Sequence, residues 1–198
     1  MTKRRFLFAI ILVFLMVITF TIGCVENNET SNGQDEESPV LLTVIFDDYQ
    51  VNYTLGDIEA LESYLGTGGY IKTKLLPDSV VISDLIEYTG VPITSFLDEI
   101  PDLPNNYNVS VISDDGWTVN YTMNETFGYV DVYNEMGDIL SNETAVMILA
   151  YKEDGSYYSE IDPDYEIGPL RIAYVGDNVI TSSNLWSKMV VSIEIISL

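Results

Sequence analysis

Short apolar periods with turn residues between them fill most of this chain, and one long apolar run precedes them. Val40 to Phe46 is a strand-like run, Asp47-Asp48 a turn, and Gln50 to Thr54 alternates, which together predict a hairpin. Thr54-Leu-Gly-Asp57 has the form of a capping box, with Ile58, Leu61 and Leu65 then on one side of a short helix that stops at Gly66. Gly66-Thr-Gly-Gly69 reads as a turn and Tyr70 to Leu76 as a strand. From Ser79, the residues Ile82, Leu85 and Ile86 predict another helix before Gly90. Ile93, Phe96, Leu97 and Ile100 form the cleanest helical stripe, of the kind that normally faces a core.

The second half is strand-like. Tyr107 to Ser113 and Trp117 to Thr122 alternate about Asp114-Asp115-Gly116, a turn able to take positive φ. Tyr129 to Tyr133, Ala145 to Tyr151, Leu170 to Val175 and Lys188 to Ile196 are further predicted strands, with Asp154-Gly155 turning the chain after the second of these. No strand–helix alternation is sustained. The expected class is therefore α+β, rich in β, with mixed or antiparallel sheets and a few short helices.

The long apolar run is of another kind. It extends from Phe6 to Gly23 after Lys3, Arg4 and Arg5, and ends at Cys24, the single cysteine of the chain. A basic start, an apolar stretch and a small residue before a lone cysteine have the layout of a lipoprotein signal peptide, whose thiol becomes the lipid attachment. Thr21 departs from the usual aliphatic residue, and an uncleaved single span is the alternative. Either arrangement holds the basic residues on the cytoplasmic side and sends the rest of the chain outward. We expect residues 1–24 to be the signal or anchor, 25–39 an acidic disordered linker, and 40–198 one domain.

Charge narrows the partners. The full chain carries −23, and without Lys3, Arg4 and Arg5 five basic residues face 31 acids, for a net −26. So negative a surface repels phosphate backbones and excludes nucleic acid as a partner. With no histidine, and Cys24 in the anchor, no Ser–His or Cys–His couple can form. Asn28, Asn52, Asn108, Asn120, Asn124 and Asn142 each begin an Asn-x-Ser/Thr sequon. These are candidate sites of a glycosylated cell-surface protein; the alternative is that Asn and Thr are simply common on wet sheet faces.

Thr67-Gly68-Gly69-Tyr70, Tyr88-Thr-Gly-Val-Pro-Ile-Thr94 and Ser113-Asp-Asp-Gly-Trp117 resemble successive blocks of the sulfite oxidase-type molybdopterin-binding domain. Ala150 to Gly155, Gly168-Pro-Leu-Arg-Ile172 and Trp186-Ser-Lys-Met-Val190 resemble its closing strands, in the same order. The resemblance implies a compact β-rich domain and oxygen-atom transfer at a molybdenum held by a pterin dithiolene and one protein cysteine. The segment Gly66 to Lys74 would carry that cysteine and has none, so the chain reads as a degenerate, small prokaryotic relative. By the same resemblance Gly68, Gly69, Lys72, Lys74 and Arg171 are the candidate cofactor residues; a glycine-rich turn with two lysines could hold a small anion, and the favoured alternative is a solvated strand start whose lysines offset nearby acids. For Arg171, on a strand with Leu170, Ile172 and Tyr174 turned the other way, pairing with a carboxylate that fixes the sheet is expected ahead of substrate binding.

Three functions are consistent with these signals. The leading one is a non-catalytic, membrane-tethered extracytoplasmic module that binds a small ligand or another surface protein. The second is a molybdopterin-dependent oxidoreductase or its accessory subunit. Alternating Asp162, Asp164 and Glu166 support the third, a calcium-stabilised surface adhesin, although their spacing is not that of an EF-hand.

Overall fold

The computed structural model describes residues 38–73, 80–140, 143–164 and 167–198. Cys24, Asn28, Lys74, Asn142, Glu166, the apolar run and nearly all of the linker lie outside the described residues. Ser38–Leu198 forms one compact unit. Its elements are β1 Val40–Phe46, β2 Tyr49–Thr54, α1 Leu55–Ala60, β3 Tyr64–Thr73, β4 Val80–Ile82, β5 Ile86–Pro92, α2 Ile93–Leu97, β6 Tyr107–Ser113, β7 Thr118–Thr122 and α3 Met123–Thr126. There follow β8 Val132–Tyr133, β9 Ile139–Leu140, β10 Val146–Glu153, β11 Ser156–Tyr157, α4 Tyr158–Ile161, β12 Arg171–Val175, β13 Val179–Ser182, a 3₁₀ turn Ser183–Leu185, β14 Ser187–Lys188 and β15 Val190–Ser197. The protein is β-rich α+β with mixed sheets and short helices.

Two hairpins flank the last strand in the first sheet, ordered β2-β1-β15-β6-β7, in which β15 runs parallel to β1 and antiparallel to β6. The second sheet follows the path β13-β3-β5-β10-β12-β14, with β4 added to β3 and β11 to β10. Thr67 on β3 bonds back to Gly176, just past β12, through N–H···O contacts of 2.9 and 3.2 Å. This bridge makes β3, β5, β10 and β12 curl into a small barrel. β8 and β9 form a separate ribbon.

Period-two alternation along β10 divides the apolar residues between two cores. Met147, Leu149 and Tyr151 join Ile172 and Tyr174 of β12 in the main core, against Leu42, Val44, Val109, Val111, Tyr121 and Ile193 of the first sheet. Ile93, Phe96 and Leu97 of α2 are buried there too, as their stripe predicts. Ile148 and Ala150 face the other way and meet Tyr88, Tyr158, Ala173 and Val175 inside the barrel.

Several local readings are corrected. α1 ends at Ala60, and Leu65 lies on β3 with 59% of its surface exposed. Gly66 to Gly69 form no turn but the middle of β3, because a Cβ on Gly68 would sit 2.4 Å from the Tyr174 carbonyl oxygen. Glycine here serves close strand approach. Ile82 and Ile86 belong to β4 and β5, where pairing with β3 overrides a short helical spacing. Lys188 to Ile196 is broken at Met189, which adopts φ 56°. At the Asp114-Asp115-Gly116 turn, Gly116 alone takes positive φ.

The tyrosine-rich interior gives a pH dependence. Burial pushes Tyr88 up from 10.0 to about 12, and raises Tyr121, Tyr158 and Tyr174 further still. A tyrosine with a raised folded pKa contributes stability that is intact below the unfolded value and lost as pH rises through the folded one. Far-UV circular dichroism should therefore show little tyrosine-linked loss of stability up to about pH 10. Above that, chemical stability should fall steeply; a flat profile to pH 12 would contradict the burial of these phenols.

Candidate anion site at the barrel mouth

The barrel interior opens through a cavity of about 210 Å³ lined by Tyr70, Lys72, Arg171, Trp186, Ser187 and Lys188, with Ser183 at its edge. Alternation explains the β3 contribution. Gly66, Gly68, Tyr70 and Lys72 share one face of that strand, and Thr181 on β13 lies directly beside Tyr70. Gly68 leaves room for an indole: a Cβ there would come within 3.2 Å of Trp186 Cη2. Trp186 is fixed from the other side by its Nε1–H, which donates to Thr181 Oγ1 at 2.8 Å. It packs against Tyr70 at 5.4 Å and Tyr88 at 5.5 Å between ring centroids.

Arg171 begins β12 opposite Lys188 of β14, so strand pairing alone sets two cations side by side. Its guanidinium lies 5.7 Å from the Tyr88 ring centre, 5.9 Å from that of Tyr158 and 5.8 Å from that of Trp186. Three aromatic faces thus surround one planar cation. Nη1 donates to Glu153 Oε2 at 3.1 Å, with the side chains 17% and 20% exposed. The carboxylate that Arg171 was expected to find is therefore Glu153. Nε is buried and has no hydrogen-bond partner among the described residues. Burial works against the Arg171 charge, but Tyr158, Tyr88 and Glu153 outweigh it and raise the pKa, so the cation is permanent.

Lys72 reaches over Tyr70, its Nζ 5.0 Å from the ring centre, and is exposed. Lys72, Arg171 and Lys188 are three of the five basic residues beyond position 5. They meet at one opening, which no carboxylate lines among the described residues. Elsewhere Lys152 stands over Tyr157 at 4.2 Å and pairs with Glu59 at 3.7 Å. The arrangement can hold a compact anion by charge, with Trp186 and Tyr70 offering flat apolar walls.

Of the residues singled out from the sequence, Gly68, Lys72 and Arg171 come together here. Gly69 does not: its Cα faces Ser83 and Asp84, and its role is close packing between β3 and the segment before β5. Trp186, Lys188 and Tyr70 were missed as site residues, although all three stand inside the blocks that carry the family resemblance. A larger cavity of about 720 Å³ lies elsewhere and is lined by Glu125, Asp131 and Glu143, which would repel an anion. Among the described residues no three acids converge to hold a metal ion. Asp162 closes its own loop by accepting the Ile167 N–H at 2.7 Å.

A molybdopterin does not fit this mouth. No thiolate donor lies along β3, and the volume is below the roughly 300 Å³ at which pockets for organic ligands usually begin. Glu153 already occupies part of the arginine fork. No protein-family model matches the chain, and no curated protein is significantly similar to it. Among the described residues no helix is long and apolar enough to cross a membrane.

Proposed function

We propose that this protein is a membrane-tethered, extracytoplasmic binding module without catalytic activity, built on a degenerate molybdopterin-domain scaffold, and that its ligand is a small anion held at the barrel mouth. One observation carries the reading. In a chain with 31 acids, Lys72, Arg171 and Lys188 share a single aromatic-walled opening. Arg171 keeps Glu153 as its partner there, while Lys152 stands elsewhere beside Glu59. The ordered family-like blocks and the β-rich fold support the scaffold, and the layout around Cys24 supports the tether. The absence of a cysteine or histidine after Cys24 supports a binding role over a chemical one.

The test is calorimetry of the 38–198 domain with phosphate, sulfate and malonate in turn, against a chloride background. At least one should bind saturably with a dissociation constant of about 1 mM or tighter, equivalent to about 4 kcal/mol. Lys72→Gln should weaken that binding about tenfold without altering the fold, since Lys72 is exposed. No saturable heat with any of the three anions would refute the reading.

A further inference from the structure

The open face and edges of the first sheet differ from the rest of the molecule. Its two edges are β2, Tyr-Gln-Val-Asn-Tyr-Thr, and β7, Thr-Val-Asn-Tyr-Thr, and neither contains a charged residue, a proline or a glycine. The paired positions of the face that carries Asn52 are Asn52, Thr43, Ser192, Ile112 and Thr118 in one row, and Gln50, Ile45, Glu194, Ser110 and Asn120 in the next; Asn52, Thr118, Gln50 and Asn120 at the edges are exposed, and Ser110 in the middle is buried. Glu194 is the single charge in these two rows. Edge strands invite pairing with another chain, and proteins ordinarily block this with charge, proline, bulges or a cover. The acids that cover this protein elsewhere are missing where the edge problem is greatest.

The same two edges carry a repeated sequence. Val51-Asn52-Tyr53-Thr54 ends β2 and leads through a capping box to Asp57; Val119-Asn120-Tyr121-Thr122 ends β7 and leads through another to Glu125. In each copy the tyrosine is buried, the threonine caps the helix and the asparagine is exposed. Asn52 and Asn120 therefore stand on the same face at opposite edges, four strand spacings or about 19 Å apart. Thr43 at 3.0 Å and Gln50 at 3.4 Å both donate to Oδ1 of Asn52, the amide oxygen rather than the nitrogen that would carry a sugar.

We propose that Asn52 and Asn120 are N-glycosylated and that the two glycans shield the edges of this sheet. In the transfer, Asn Nδ2 attacks the anomeric carbon of a lipid-phosphate-linked oligosaccharide. The N–C1 bond forms, the C1–O bond to phosphate breaks, Nδ2 releases one proton and the lipid phosphate leaves. Asn108, half-buried on the inner strand β6 and diagonal to Asn120, stays bare because a second glycan would collide with the first. The inference rests on the outward address proposed above.

Glycopeptide mass spectrometry of protein taken from its native membranes tests it, together with protease treatment of intact cells. The expected result is sugar on the peptides of Asn52 and Asn120, none on Asn108, and digestion from outside. Bare Asn52 and Asn120 on a chain that external protease digests overturn the glycan inference alone. Bare residues on a chain that protease cannot reach overturn the address as well. The Asn52→Gln/Asn120→Gln protein from the same cells should form concentration-dependent oligomers in sedimentation while wild type remains monomeric; a monomeric double variant would refute edge shielding. Neither substitution removes a helix cap.

Discussion

Arg171→Met is expected to destabilise the domain by about 3–5 kcal/mol and to abolish anion binding. Methionine retains much of the apolar volume between Tyr88, Tyr158 and Trp186, so the loss arises chiefly from charge. Glu153, with its side chain 20% exposed, would lose the cation it pairs with. Removing one member of a buried pair costs more than removing both, because the remaining charge keeps its desolvation penalty. Urea denaturation of Arg171→Met and of the double variant Arg171→Met/Glu153→Met separates these effects. The double variant should recover most of the stability and none of the binding. A single-variant loss below about 1 kcal/mol would show that the pair behaves as a surface salt bridge.

The second large effect is expected at Gly68. A methyl group there would lie 2.4 Å from the Tyr174 carbonyl oxygen and 3.1 Å from Val175 Cγ1, so β3 and β12 would have to separate. Overpacking of this kind costs about 1–3 kcal/mol. The displacement should also loosen Trp186, whose ring edge is 3.2 Å from the same point, and so weaken anion binding together with stability. Gly116→Ala is the control. It places alanine at φ 81° in open space, so it carries backbone strain but no collision, and should leave binding intact. Equal binding by the Gly68→Ala and Gly116→Ala proteins would contradict the proposed support of the indole by Gly68.

Much of the first sheet was legible because its signals are local. The alternation of Tyr107–Ser113 and Thr118–Thr122 about an Asp-Asp-Gly turn produced β6 and β7, and the Thr54/Asp57 box produced the start of α1. The strand β3 was harder to read, since Gly66, Gly68 and Gly69 give the same local sign in a turn as in a strand squeezed against its neighbours. Only long-range pairing, with β5, β13 and Gly176, distinguishes the two. The likeness between Val51–Asp57 and Val119–Glu125 is visible in the letters, but their place at opposite edges depends on β15 entering between β1 and β6.

The site was legible by half for a related reason. Lys72 and Arg171 stand out because cations are scarce, and Gly68 because it neighbours Lys72 in a glycine-rich stretch. Trp186 and Lys188 meet them through pairing of β14 with β12 and of β13 with β3, contacts that no local spacing announces. The aromatic cage around Arg171 is equally non-local, drawn from β5, α4 and the segment before β14.

The central claim, that a small anion binds at the barrel mouth, is tested most directly through Trp186. The chain has two tryptophans, and Trp117 lies in an exposed turn, so a Trp117→Phe protein reports Trp186 alone. Titrating that protein with phosphate, sulfate and malonate at constant ionic strength should change Trp186 fluorescence saturably for at least one of them, and Lys72→Gln should move the midpoint about tenfold higher. A response that is linear for all three anions, or one whose midpoint Lys72→Gln leaves in place, would contradict the account.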